Sequence, residues 1–293
     1  MIVHNPHEWI RPLLDLHRSG SFRKALGPML IMGMLTAALV WVEMRWLQLP
    51  AEHPLKSITI MHTLLGFAIS MLLVFRTNTA YDRWWEGRKL WGSLVNCSRN
   101  LAVKISAYLK PDDEENRLLF AKLIGLFAHE LRDHLLRERT RLELDDEPHP
   151  ELALIDRDKH VPTQVVFAMQ QRLTRLHREQ IISGDQLIVL NTDINVFLDV
   201  CGACERIKNT PIPYSYSSFI KKFIVLYSVT LPMGFAFILG WWAIPVVMFI
   251  FYVLASLELI AEEIEDPFSG DENDVPMQRI SDTIDRNVKE ILA

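Results

Sequence analysis

The chain has 293 residues, of which 49% are hydrophobic and 23% are charged. Its 31 Lys and Arg residues against 36 Asp and Glu give a formal net charge of -5, which excludes a polybasic nucleic-acid-binding protein. The apolar content excludes a disordered chain. Three cysteines are too few for a disulfide framework, so burial in protein or lipid must supply the stability.

Uncharged stretches predict four membrane-spanning helices, since about 20 apolar residues cross the core of a bilayer. The last uncharged stretch, residues 223–257, is too long for one crossing. It contains Gly240 and Pro245, which favour a helix break between two crossings. The predicted spans are residues 26–42, 57–75, 223–240 and 243–257.

Basic residues beside the spans predict the orientation, because cytoplasmic flanks are enriched in Lys and Arg. They precede the first span, follow the second and precede the third, which predicts that both termini are cytoplasmic. The expected location is the plasma membrane or the bacterial inner membrane, with lipid as a partner. The flanking basic residues are Arg11, Arg18, Arg23, Lys24, Arg76, Arg83, Arg88, Lys89, Lys221 and Lys222.

Polar, helix-periodic sequence separates the second and third spans and indicates a cytoplasmic helical region, residues 76–222. An acidic segment, residues 258–293, follows the last span and ends in an amphipathic stripe. The predicted fold class is therefore an all-α membrane protein with four transmembrane helices and a cytoplasmic helical bundle. Residues 1–293 form one such unit. Helices outside the spans are predicted at residues 116–143, 163–180 and 183–207.

Two arrangements in the cytoplasmic region are similar to catalytic motifs. His129, Glu130 and His134 nearly match a zinc-protease helix, but the two histidines are five residues apart, about 140° around the helix axis. Cys201 and Cys204 have thioredoxin spacing but lie inside a predicted helix, where small structural residues are the better interpretation. With no phosphate-binding or dinucleotide-binding loop, the sequence does not predict an enzyme.

Three ordered blocks of sequence resemble the bestrophin family of pentameric ion channels in its shorter prokaryotic form. The first block covers the second span and its exit, the second lies near residue 205, and the third follows the fourth span. The blocks contain Leu65-Gly66-Phe67, Phe75-Arg76-Thr77-Asn78, Arg83-Trp84-Trp85, Gly202-Ala203-Cys204-Glu205-Arg206, Thr210-Pro211-Ile212-Pro213 and Glu262-Glu263-Ile264-Glu265-Asp266-Pro267-Phe268.

The resemblance implies a ring-shaped homopentamer that conducts small monovalent ions, with chloride as the family's anion. A closed ring is also what the residues require, because one pore helix per chain cannot enclose a conduit. The acidic balance leaves a cation such as sodium open. A membrane-anchored scaffold or binding protein without conduction is the alternative. A carrier is disfavoured, since the predicted spans contain no Asp, Glu, Lys or Arg that could couple ions to a substrate.

The second span has two stripes that could face a pore. Phe67, Met71 and Phe75 form an apolar stripe, which the resemblance identifies as a hydrophobic neck. The other stripe is polar or small, and then belongs to helix packing. Without the resemblance, the apolar stripe would be read as lipid-facing or core. The polar stripe consists of Thr59, Thr63, Gly66 and Ser70.

A second constriction is implied near the cytoplasmic mouth, at the start of the helix that begins near Ser183. Ser183 and Gln186 predict a capping box, which places Asp185 in the first turn. Asp185 either faces the pore as an aperture or only favours the helix start through the helix dipole. The related channels tend to have an apolar residue at this aperture.

The segment after the fourth span contains Asp266, Asp271 and Asp274, and the matching segment of animal relatives forms a calcium clasp. Hard carboxylate and carbonyl oxygens suit calcium, so these three aspartates are candidate calcium ligands. A solvated acidic loop is the alternative interpretation.

Overall fold

A computed structural model describes residues 20–48, 58–136, 159–271 and 273–293. Within these ranges the chain is helical and has no β-strand. The chain divides into two compact units, one formed by the described residues up to Arg83 with Pro211–Glu265, the other by Trp84–Thr210 with Asp266–Ala293. The α-helices are α1 Gly20–Val42, α2 Ile58–Tyr108, α3 Glu114–Leu136, α4 Val161–Arg178, α5 Gly184–Asn209, α6 Tyr214–Leu239, α7 Ala243–Glu265 and α8 Met277–Leu292.

The unit that contains α1, the first part of α2, α6 and α7 is called the apolar unit. In it, α1 packs against α6 and α7, and α6 packs against α7. Buried aliphatic side chains, such as Leu73 of α2 and Leu231 of α6, form its core. Helix α6 ends at Leu239 and α7 begins at Ala243, with a short 3-10 turn between them. Gly240, at φ 54°, makes this turn in a conformation that favours glycine.

Four helical stretches among the described residues are long and apolar enough to cross a membrane. Three of them, Phe22–Trp46, Ile58–Tyr108 and Tyr214–Glu265, cover the predicted spans apart from residue 57, which lies outside the described residues, and the last holds both α6 and α7. The fourth is Gly184–Asn209, which is α5 and was not predicted as a span. We interpret α5 as a bundle helix, because one side of it is buried among the other helices of its unit.

The other unit, called the bundle unit, contains the second part of α2 with α3, α4, α5 and α8. Helix α3 packs against α4 and α8, and α4 packs against α5. Its core includes an edge-to-face pair of Phe127 and Phe197, with ring centroids 4.9 Å apart. The amphipathic stripe of α8 is confirmed, since Ile284 and Val288 are fully buried.

The charged segment after the second predicted span, which the sequence assigns to the cytoplasmic helical region, begins inside the helix of the span itself. Helix α2 continues without a break from Ile58 to Tyr108, so residues 76–108 extend the same helix. No proline interrupts this stretch, and its apolar side chains change from the core of one unit to the core of the other.

Candidate pore helix and motif contacts

Helix α2 buries one face inside the apolar unit. Its buried residues recur at intervals of three, four and seven, which places them on one side of the helix. The opposite side is exposed along the protomer. The buried residues are His62, Ile69, Leu73, Arg76 and Ala80.

The predicted neck residues lie on the exposed side. Phe67 is 70% exposed, Met71 44% and Phe75 57%. At 100° per residue, the centre of this stripe lies about 170° around the helix axis from the buried face. These side chains therefore do not belong to the core of the protomer, which leaves contact with lipid or with a pore formed by several copies.

Two hydroxyls of the polar stripe of α2, those of Thr63 and Ser70, donate to carbonyls of their own helix. Thr63 Oγ1 donates to the Thr59 carbonyl at 3.0 Å, and Ser70 Oγ donates to the Gly66 carbonyl at 2.7 Å. The stripe also approaches α6, because a Cβ at Gly66 would lie 2.8 Å from the hydroxyl oxygen of Tyr227. The approach at Gly66 is typical of close helix packing at small residues, whereas Thr63 and Ser70 are exposed and bond only within their own helix.

A buried charge cluster connects three of the motif blocks in the apolar unit. Arg76 is 1% exposed, and its Nη2 lies 2.6 Å from Glu265 Oε2. The other oxygen of Glu265 accepts a hydrogen bond from the backbone N–H of Ile212 at 2.6 Å. Glu258 Oε2 lies 3.5 Å from Arg76 Nε. The motif residues thus hold the end of the second span, the start of α6 and the end of α7 together.

Two charged residues are buried just beyond the predicted spans, although the absence of such residues was a reason to disfavour a carrier. The predicted spans contain no charged residue, but Arg76 and Glu258 each lie one residue beyond a predicted boundary and are buried in continuous helices. The uncharged runs ended at these residues, so the sequence pattern could not show that both are buried. Arg76 pairs with both Glu258 and Glu265, so these charges belong to a buried cluster that connects the helices.

The predicted capping box at the start of α5 is confirmed. Ser183 Oγ accepts a hydrogen bond from the Gln186 N–H at 3.2 Å, and Gln186 Oε1 accepts one from the Ser183 N–H at 2.8 Å. Asp185 lies in the first turn with an exposed side chain. At this position the carboxylate interacts favourably with the helix dipole and remains accessible to solvent or ions.

The acidic segment after α7 forms a tight turn around Asp274, which is 3% exposed. Asp274 Oδ2 accepts hydrogen bonds from Ser269 Oγ, the Gly270 N–H and the Asp271 N–H, at 2.6 to 2.9 Å. Burial raises the pKa of Asp274, although these hydrogen bonds act in the opposite direction.

The three predicted calcium ligands are not brought into one ligand set within the described residues. Asp266 Oδ1 instead accepts a hydrogen bond from the Phe268 N–H at 3.1 Å. Asp271 shares the Ser269 hydroxyl with Asp274. The contacts of these carboxylates are therefore those of a turn.

The bundle unit brings together a group that sequence reasoning missed. Nε2 of His134 and Nε2 of His160 each lie 2.6 Å from the same oxygen, Oε1 of Glu205. His134 was considered only with His129, which instead lies 4.0 Å from the Asp282 carboxylate. The partners come from three helices and are far apart in sequence, so no local spacing could reveal them.

The cysteines of the bundle unit are structural, as the sequence predicts for Cys201 and Cys204. Both are buried inside α5 as free thiols. Burial raises the pKa of Cys201 to about 12, and it raises that of Cys97 to the same value. Protonated, buried thiols are poor nucleophiles.

The Bacterial/Fungal Bestrophin protein family matches residues 1–290 of the chain. The chain belongs to this family. The family and the names of its relatives, which are anion channel-forming proteins, indicate a channel and confirm the expectation that the protein is not an enzyme.

Related proteins match this chain in sequence over most of its length. A voltage-dependent anion channel-forming protein of Nostoc sp. is 36% identical, over 84% of this chain and 80% of that protein. The voltage-dependent anion channel-forming protein YneE of Escherichia coli (strain K12) is 30% identical, over 97% of this chain and 92% of that protein. 

A solved structure of a bacterial Bestrophin homolog from Klebsiella pneumoniae, with a single substitution, has a TM-score of 0.81 to this bestrophin. It is 24% identical, and the match covers 92% of this chain and 100% of that chain. This likeness shows the shared fold. The apolar helices, the family match and the channel-forming relatives make this bestrophin an integral membrane protein.

Proposed function

We propose that this bestrophin assembles as a homopentamer around an ion pathway lined by α2 and conducts small anions such as chloride. The observation that carries the proposal is the exposed apolar stripe on the side of α2 that faces away from the protomer core. The names of the Nostoc and Escherichia coli relatives support anions as the permeant class.

The neck is proposed at Phe67, Met71 and Phe75. With a rise of 1.5 Å per residue and a spacing of four residues, the stripe would form apolar rings about 6 Å apart along the axis. Such rings offer an ion nothing to replace its hydration water, so a narrow neck dewets and blocks, while a wider neck conducts hydrated ions. The neck therefore gates the channel more than it selects between ions.

Asp185 is proposed as the second constriction, at the cytoplasmic mouth. Its exposed position in the first turn of α5 supports a carboxylate directed at passing ions. A ring of such carboxylates would attract cations and repel anions, against the anion preference of the relatives. The selectivity of this bestrophin therefore depends on whether Asp185 faces the axis.

Ion flux into lipid vesicles containing the purified full-length protein tests the proposal. We expect chloride flux. In single-channel recordings, the open probability should be severalfold higher in Met71→Ala, because the middle ring of the neck is widened. Ser70→Ala is the matched control, since Ser70 is adjacent in sequence and its hydroxyl is bonded to its own helix.

Two outcomes would contradict the proposal in different ways. An intact oligomer without ion flux would favour the membrane-anchored scaffold. A conductance changed by Ser70→Ala, with an unchanged open probability in Met71→Ala, would show that the polar stripe faces the pore instead.

A further inference from the structure

Three polar side chains of the bundle unit converge at a place that the proposed ion pathway does not use. His134 lies near the end of α3, His160 is the N-cap residue of α4, and Glu205 lies in α5. The histidine rings are edge to face, with centroids 4.6 Å apart. Their ligand atoms and the nearest carboxylate oxygen all lie within 4.8 Å of one another. Among the described residues, this is the one group of three such side chains that meets this distance.

We propose that His134, His160 and Glu205 bind a zinc ion. Two imidazole nitrogens and one carboxylate oxygen are ligands that zinc takes in proteins, whereas calcium prefers an all-oxygen shell. Three protein ligands leave a fourth tetrahedral position for water. The side chains are 34%, 37% and 30% exposed, respectively, so water can reach that position.

The distances require only a small adjustment. Zinc bonds of about 2.0 to 2.2 Å in a tetrahedral shell place ligand atoms about 3.3 Å apart. The two imidazole nitrogens now lie 2.6 Å from the carboxylate oxygen, so each pair must separate by about 0.7 Å. The two histidine nitrogens lie within 4.8 Å of each other and would take the same spacing, which rotation of the partly exposed histidine side chains would supply.

A neighbouring hydroxyl fits the histidine tautomer that zinc needs. A zinc-bound Nε2 leaves the proton of a neutral imidazole on Nδ1, where an acceptor usually holds it. Thr163 Oγ1 lies 2.7 Å from His160 Nδ1 and can accept that proton's hydrogen bond. In exchange, the Thr163 N–H would lose its 3.2 Å contact with the same nitrogen.

The arrangement suits a cation, because two imidazole nitrogens converge on one carboxylate oxygen. Without a metal, the same carboxylate oxygen is the hydrogen-bond partner of both histidines. Zinc would replace two hydrogen bonds with three coordination bonds and would join α3, the start of α4 and α5.

Zinc binding by the untagged full-length protein in detergent tests the proposal directly. We expect about one zinc per chain in a competition with a coloured chelator. His160→Ala should weaken the affinity by about 100-fold or more, since even loss of an outer-shell partner costs 10- to 100-fold. Cobalt as a second probe should give the intense visible absorption of a tetrahedral site in the wild type and not in His160→Ala.

His129→Ala is the matched control, because it removes a histidine of the same helix that lies outside the group. It should keep the zinc affinity of the wild type. His134→Gln serves as a second ligand variant if an alanine variant does not yield folded oligomer, as judged by size-exclusion chromatography. Absence of zinc binding to the wild type at 100 µM (about a hundredfold above a micromolar Kd), or equal affinities in His129→Ala and His160→Ala, would overturn the proposal. Neither result would bear on ion flux through the neck.

Discussion

Gly87 of α2 is a position where one methyl group should disturb the bundle unit. A Cβ there would lie 3.0 Å from Phe268 Cζ and 3.2 Å from Pro267 Cγ. Carbon atoms in contact are usually 3.5 to 4.0 Å apart, so the overlap is about 0.5 Å or more. Phe268 is fully buried and cannot turn away into solvent. We therefore expect Gly87→Ala to destabilise the protein.

The magnitude follows from a comparison with Gly92 of the same helix. A Cβ at Gly92 would have only Arg88 Nη1 near it, at 3.9 Å. Replacement of a helical glycine by alanine stabilises by about 0.5–1 kcal/mol at either position. At Gly87 only, overpacking against Phe268 destabilises the protein by about 1–3 kcal/mol and opposes this gain. The two variants should therefore differ by the overpacking cost alone, with Gly92→Ala the more stable.

Thermal unfolding in detergent, followed by tryptophan fluorescence, measures the difference. Gly92→Ala should have a midpoint at or above that of the wild type, and Gly87→Ala a midpoint below that of Gly92→Ala. Phe268→Leu should lower the wild-type midpoint by more than it lowers that of Gly87→Ala, because the smaller side chain relieves the overlap. Equal midpoints for the two alanine variants would refute the close approach of Phe268 to α2.

Three further results are expected. Asp185→Asn should shift the reversal potential in a salt gradient away from cation permeation if the carboxylate faces the axis, and an unmoved potential would make it a helix-start residue only. Arg76→Met should lower the thermal midpoint more than Glu265→Gln, since removing one partner of a buried pair costs about 3–5 kcal/mol and leaves two carboxylates unpaired. Because the pKa of Glu205 is lowered in the folded state, its carboxylate adds stability above about pH 4.5, and this stability is lost as the pH falls through the folded-state pKa. Glu205→Gln should therefore make the thermal midpoint less sensitive to acid below that pH.

The sequence predicted the elements whose signal is local. The uncharged runs, the Gly240 break and the Ser183 capping box each depend on residues close together in the chain, and the structure has helices, a turn and a cap at these places. The positions where uncharged runs end were a poorer guide to where helices end. Helix α2 continues through the charged residues after Phe75, because helical propensity does not end where hydropathy falls.

Contacts between distant residues could not be predicted in the same way. Glu265 was part of a recognised motif, but nothing in its spacing showed that it pairs with Arg76 and the Ile212 N–H. The convergence of His134 and His160 on Glu205 likewise needs three helices packed in a particular register. Such pairings depend on tertiary packing, which one sequence without its relatives does not specify.

The internal hydrogen bonds of Thr63 and Ser70 bear on how the protein enters the membrane. An unsatisfied hydroxyl in hydrocarbon is costly, but each of these side chains already donates to its own helix. A single newly inserted chain can therefore place these two hydroxyls in lipid before it joins the proposed oligomer. Biogenesis can then proceed in two stages, insertion first and association second, without a partner chain waiting at the moment of synthesis.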